Sequence, residues 1–151
     1  MVVKQGSDAP DFTLKGTVGD SFTLSDTLGK KRTLLVFYPV DQTPGCRNQL
    51  SAIKDSIDYF RALDTEPFGV NEANAESHQR FIDELELPFD LLVDEDFKVA
   101  ELYGCLRDTQ RMNARTVIIV GKNGKVIYRE AGSPDPALLL EAISTADDAS
   151  A

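Results

Sequence analysis

One thiol in this chain stands where a strand hands over to a helix. In the run Pro39-Val40-Asp41-Gln42-Thr43-Pro44-Gly45-Cys46, the residues before the cysteine suit a tight helix entry. Proline is tolerated in a first helical turn, and glycine lets backbone approach a ligand closely. The start of a helix exposes unpaired N–H groups and the positive end of the dipole, so it favours an anion. A thiolate is such an anion. In these surroundings a cysteine pKa falls from about 8.5 to roughly 3.5–7.5, which populates the nucleophilic form at neutral pH. Thr43, three residues earlier, adds a hydroxyl that both donates and accepts hydrogen bonds. Cys46 is therefore read as a reactive nucleophile. The commoner role of a free cysteine is that of a small buried hydrophobe.

The flanking elements must hold that thiol in place. Thr33-Leu34-Leu35-Val36-Phe37-Tyr38 is a continuous apolar, β-rich run of the kind found in a buried parallel strand. After Cys46, residues Leu50, Ile53, Ile57 and Phe60 recur at intervals of three and four, the core stripe of an amphipathic helix. Asp11–Leu14 and Ser21–Leu24 read as short strands, with one helical turn over 25–29. Further along, 68–70 and 90–93 read as strands, and 75–86 and 96–103 as helices. Arg115–Val120 and Lys125–Arg129 form a hairpin across Lys122-Asn123-Gly124, an Asn-Gly turn signal. A closing helix runs over 135–143, and 147–151 is expected to fray. The chain reads as one domain over 1–151, with no internal repeat or linker.

The surroundings of Cys46 resemble those of the peroxiredoxins, and most closely the peroxiredoxin Q or bacterioferritin comigratory protein branch. That family's motif is proline, three residues, threonine or serine, two residues, cysteine; Pro39, Thr43 and Cys46 satisfy it. The similarity extends to Ala9-Pro10-Asp11-Phe12-Thr13-Leu14, Ser77-His78-Gln79-Arg80-Phe81, Leu87-Pro88-Phe89-Asp90-Leu91-Leu92-Val93-Asp94 and Leu102-Tyr103-Gly104. Arg115, opening the strand Thr116–Val120, matches the second catalytic signature. The resemblance implies a thioredoxin-like α/β fold: a central mixed sheet flanked by helices, with an N-terminal β-hairpin. It also implies a thiol-dependent peroxidase acting on hydrogen peroxide or organic hydroperoxides. In that chemistry the Cys46 thiolate attacks the O–O bond and becomes a sulfenic acid. Thr43 holds the peroxide, Arg115 stabilises thiolate and transition state, Pro39 shields the pocket, and an external thiol reductant of the thioredoxin kind restores the enzyme.

Two positions depart from the family pattern. Many peroxiredoxin Q proteins carry a resolving cysteine five residues after the first; here that position is Ser51, so the usual partner is missing. Glutamate usually follows the reactive cysteine by three residues, often with threonine directly after it, whereas this chain reads Arg47-Asn48-Gln49. Gln49 can still bond an arginine. Arg47 is either a local cation or a solvated helix-face charge. The second thiol, Cys105, is either a resolving cysteine in an unusual place or a buried bystander. Two other functions share these features. One is a redox sensor or chaperone-like protein signalling through oxidised Cys46. The other is a thioredoxin-like thiol-disulfide oxidoreductase, which a Gln49 at the fourth position of the expected Cys-x-x-Cys disfavours.

Composition narrows the setting. With 42% hydrophobic residues over 151 positions, the chain has material for a sizeable core. A net charge of −9 disfavours nucleic acid and anionic membranes as partners. Asp83-Glu84-Leu85-Glu86 and Asp94-Glu95-Asp96 read as solvated faces, and the single His78 as a polar residue on a helix. No metal or other cofactor is expected. No apolar run is long enough to span a membrane, and no signal peptide opens the sequence. With only two cysteines, a cytoplasmic location is expected, with the protein a monomer or small homodimer.

Overall fold

The computed structural model describes residues 3–17, 19 and 21–148. Its centre is the strand Arg32–Phe37, whose apolar run continues into Tyr38. Leu34, Val36 and Tyr38 face one side of the sheet, Leu35 and Phe37 the other, and all five are fully buried. A strand apolar on both faces must be covered on both, which is the condition of a layered α/β protein.

The strands are β1 (Thr13–Gly16), β2 (Phe22–Thr23), β3 (Arg32–Phe37), β4 (Thr65–Asn71), β5 (Leu91–Val93), β6 (Thr116–Val120) and β7 (Val126–Ala131). The helices are α1 (Pro44–Asp55), α2 (Ile57–Ala62), α3 (Ala75–Leu85), α4 (Lys98–Tyr103) and α5 (Pro136–Ser144). Among the described residues the strands form one mixed sheet in the order β2-β1-β5-β4-β3-β6-β7. β3, β4 and β5 run parallel, while β6 lies antiparallel to β3, and β1 antiparallel to β5. On one face, α1, α2, α3 and α5 bury Leu50, Ile53, Phe60, Phe81, Leu139 and Ile143 against Leu34, Val36 and Tyr38. The other face is covered by Val99, Ala100 and Tyr103 of α4 together with Phe12 and Leu24. The expected α/β architecture, with a mixed sheet between helices and the β1–β2 antiparallel pair at the start, is therefore present.

Several expectations shift. The helix after Cys46 breaks at Ser56, whose N–H bonds back to Ile53 O, and Ile57 and Phe60 ride on the separate α2. The apolar stripe survives the break because both segments lie on the same face of the sheet. Strand β4 is longer than the three residues expected from its sequence and contains Pro67. That proline is tolerated because β5 reaches only Gly69–Asn71, leaving the earlier part of β4 an edge on one side. The acidic run 94–96 is not uniformly solvated. Asp94 is fully buried, and its two oxygens accept the Val99 and Ala100 N–H groups at 2.9 Å, capping the start of α4. Asp148, expected to fray, is instead buried and bonded twice to Arg32 at 2.8 Å. Residues 149–151 lie outside the described part.

Candidate active site

Strand direction brings the candidate residues together. β3 and β4 end, and the antiparallel β6 begins, at the same edge of the sheet, with Phe37 opposite Thr116. Residues just past β3 and just before β6 therefore meet there, outside the carboxyl ends of the parallel strands, where open α/β sheets commonly bind ligands. The buried Asn113 fastens this edge: its Nδ2 donates to Tyr38 O at 3.3 Å and Val70 O at 3.0 Å.

Cys46 is the third residue of α1 and fully buried. Pro44 occupies the first helical position, where a missing N–H costs nothing, and no acidic residue in the first turn offsets the dipole. Thr43 is the N-cap, with extended backbone, yet its side chain makes no capping bond. Among the described residues its Oγ1 meets only Val40 O, at 3.4 Å, which leaves the hydroxyl able to bind a substrate. Pro39 is buried in the loop leading to the thiol. An open groove of about 880 Å³ reaches this turn between α1 and α5, lined by Gly45, Gln49, Tyr59, Pro134 and Leu140 among others.

Arg115 comes to the same turn. Its Nη1 donates to Gln49 Oε1 at 2.9 Å, while its Nη2 lies 3.0 Å from the place a Cβ on Gly45 would occupy. The guanidinium thus rests against the backbone next to Cys46, and any side chain at Gly45 would intrude on it. Gln49 is oriented from its other end, where Nε2 donates to Gly132 O at 3.4 Å. Gly132 also donates its N–H to Arg115 O at 2.8 Å. Pro39, Thr43, Cys46 and Arg115 therefore gather at one edge, whereas Arg47 turns away: its Nη1 binds Gln42 Oε1 and Glu84 Oε2, each at 3.0 Å.

A buried polar cluster under this loop was not legible as such in the sequence. Asp41 Oδ1 accepts from Tyr38 OH at 2.6 Å and Asn71 Nδ2 at 3.2 Å; Oδ2 accepts from Ser77 Oγ at 2.7 Å and faces His78 Nδ1 at 2.9 Å. His78 is fully buried rather than a solvated helix residue, and its Nε2 faces Leu92 O at 2.9 Å. Burial alone would push the Asp41 carboxyl up, but the His78 contact and the hydroxyls of Tyr38 and Ser77 outweigh it and hold it below the usual range. Burial, reinforced by Asp41, raises the Tyr38 phenol. The available signal was the spacing of His78 with Phe81, Ile82 and Leu85, which puts the imidazole on the apolar stripe of α3.

Cys105 lies elsewhere. It follows Gly104, which ends α4 at a φ of 72°, and packs with Val99, Tyr103 and Ile118 in the cluster on the opposite face from Cys46. Burial pushes its thiol up to about 11, against a weaker opposing pull from Arg129. Ser51 is partly buried within α1.

The model of the AhpC/TSA family matches residues 5–129. The chain belongs to that family. Over nearly its whole length it is similar to peroxiredoxin Bcp of Bacillus subtilis, 34% identical over 158 residues that cover 99% of either chain. Peroxiredoxin Q of Oryza sativa subsp. japonica, a chloroplastic protein, is 38% identical over 127 residues, 83% of this chain. The chain spans only 58% of the length of that rice relative. Among solved structures, peroxidoxin BcpB from Mycobacterium tuberculosis superposes with a TM-score of 0.85, covering 94% of this chain and 97% of its own, at 22% identity. That likeness places the AhpC/TSA chain described here in the thioredoxin-like fold of the peroxiredoxins.

Proposed function

We propose that this protein is a thiol-dependent peroxidase with Cys46 as its reactive residue. The observation that carries this reading is the convergence of Cys46, the uncommitted Thr43 hydroxyl and the Gln49-held Arg115 on the first turn of α1. The Cys46 thiolate attacks one oxygen of a hydroperoxide. An S–O bond forms as the O–O bond breaks; sulfur is oxidised by two electrons, and the departing hydroxide or alkoxide leaves as water or alcohol after taking a proton. Thr43 donates to and accepts from the peroxide. Arg115 favours the thiolate and stabilises charge moving onto the leaving oxygen. Pro39 limits water in the pocket.

An external thiol of the thioredoxin type then attacks the sulfenic sulfur, expelling water, and a second thiol of the reductant releases Cys46 as the free thiol. This assignment to an outside reductant is supported by Ser51 at the usual resolving position and by Cys105 on the far face of the sheet. Two buried free thiols suit a reducing compartment such as the cytoplasm. Among the described residues, no helix is long and apolar enough to cross a membrane.

Mass spectrometry of peroxide-treated protein, with and without a 1,3-diketone sulfenic acid trap, tests the reading. One trapped adduct on Cys46, together with peroxide consumption sustained by added thioredoxin and its reductase, is expected. An unmodified Cys46 under stoichiometric peroxide overturns it.

A further inference from the structure

The Asp41 carboxylate takes no part in the peroxide chemistry described above, yet it is bonded from every side. Its partners come from the end of β3 (Tyr38), the end of β4 (Asn71) and the first turn of α3 (Ser77 and His78). His78 carries the connection on to Leu92 of β5. A backbone carbonyl only accepts, so His78 Nε2 bears a hydrogen; an ionised carboxylate also only accepts, so a second proton lies between Nδ1 and Asp41 Oδ2. With that proton in place every contact around Asp41 runs from donor to acceptor. Asp41 itself sits in the loop between β3 and α1, directly before Gln42, whose φ of 73° lies in the left-handed region. A non-glycine residue keeps that conformation only where its surroundings over-determine it.

We infer that Asp41, held by His78, is a positioning residue: it locks the Pro39–Thr43 loop so that the Thr43 hydroxyl and the Cys46 sulfur meet a peroxide in the attacking geometry. The inference rests on Cys46 being the peroxide-reactive thiol. A loop held this way acts on one reaction selectively. Peroxide attack needs Thr43 and Cys46 in register, whereas alkylation of the same thiolate by a small electrophile makes no use of the Thr43 hydroxyl.

The test is to measure both reactions, in wild type and in Asp41→Ala, Asp41→Asn and Ser77→Ala. Quenched-flow mass spectrometry gives the rate of Cys46 sulfenic acid formation, iodoacetamide gives the alkylation rate, and circular dichroism verifies folding. Misplacement on the order of 1 Å costs about a hundredfold in rate, so Asp41→Ala is expected to slow peroxide attack by roughly ten- to a hundredfold while alkylation holds or rises. Asn at position 41 can offer its oxygen to Tyr38 and Asn71 and its amide to a neutral His78 whose Nδ1 then accepts. Asp41→Asn should therefore stay within about threefold of wild type. Ser77→Ala, which removes one donor, should lower the ratio of peroxide to alkylation rate by a smaller factor. A folded Asp41→Ala protein oxidised as fast as wild type overturns the inference, as does a parallel fall of both rates or an Asp41→Asn protein as slow as the alanine variant. Should Asp41→Ala fail to fold, an unchanged ratio in Ser77→Ala overturns it. A wild-type Cys46 that peroxide leaves untouched overturns the peroxidase reading and this inference together.

Discussion

Gln49 accepts a 2.9 Å hydrogen bond from Arg115 through a side chain rooted just under one helical turn after Cys46. The thiol and the residue that steers the arginine therefore share one face of α1, so a single helix fixes how the Cys46 sulfur and the guanidinium's anchor stand to one another. Arg115→Met should slow peroxide attack by about 10²- to 10³-fold, since a fixed cation stabilises the charge that moves onto the leaving oxygen. Thr43→Val should also slow attack, because the hydroxyl that positions the peroxide is lost. Quenched-flow mass spectrometry of Cys46 sulfenic acid formation checks both; a wild-type rate in Arg115→Met removes the electrostatic role.

Gly45→Ala probes the same contact from the other side. The new methyl group would stand 3.0 Å from Arg115 Nη2, a flexible side-chain end that can yield, so the guanidinium rather than the helix should move. Alanine is also the better helix former. Thermal stability is expected to hold while peroxide attack slows about tenfold. Retained kinetics would place Arg115 outside the reaction.

The two thiols should behave as different species. Cys46→Ser should abolish turnover, whereas Cys105→Ser should leave the first oxidation step intact. With its thiol pushed up to about 11, Cys105 should resist alkylation at neutral pH until the protein unfolds. Peptide mapping after iodoacetamide, with and without denaturant, measures this.

Ser51→Cys restores a thiol at the usual resolving position but inside a continuous helix. Five residues of helix rise about 7.5 Å, beyond the Cα separation of roughly 4.4–6.8 Å that a disulfide accepts. Peroxide should produce a bond between positions 46 and 51 only as the first turns of α1 unwind, seen as lost amide-exchange protection there. A Cys46 that is oxidised but never bridged would show that this helix does not open.

Acid stability should depend on Asp148. Burial alone would raise its carboxyl, but the Arg32 guanidinium and the Lys122 N–H hold it below the usual range. A folded-state pKa lower than the unfolded value, about 3.9, means stabilisation is complete above that value and is lost as pH falls through the lower one. Asp148→Asn should cost about 1–3 kcal/mol near neutral pH, with the deficit shrinking toward pH 2. Parallel denaturation curves at pH 7 and pH 2 would contradict this.

Legibility in the sequence followed the range of the interactions. The run 33–38 and the Asn-Gly hairpin announced β3, β6 and β7 because apolar alternation and turn chemistry act between near neighbours. Cys46 and Thr43 were found for the same reason. Arg115 was named through family resemblance alone, since its place beside Gly45 depends on how β3 and β6 pair, with 69 positions separating Cys46 from Arg115. His78 reads from sequence as a polar helix residue and its pairing with Asp41 does not show, because a buried polar pair looks, one residue at a time, like two surface residues. Asp94 and Asp148 misled for the same reason: a carboxylate that caps or clamps is chosen by partners distant in the chain or by the fold of its own turn.

The placing of Cys46 and Cys105 on opposite faces of one sheet has a kinetic meaning. These are the only sulfhydryls in the chain, and a closely packed sheet separates them. On the proposed chemistry, oxidation is fast and private, while recovery waits for a collision with another molecule. The lifetime of the oxidised protein then scales inversely with the concentration of whatever dithiol surrounds it, so the fraction found oxidised at steady state reads out the balance between two supplies, peroxide arriving and reductant at hand.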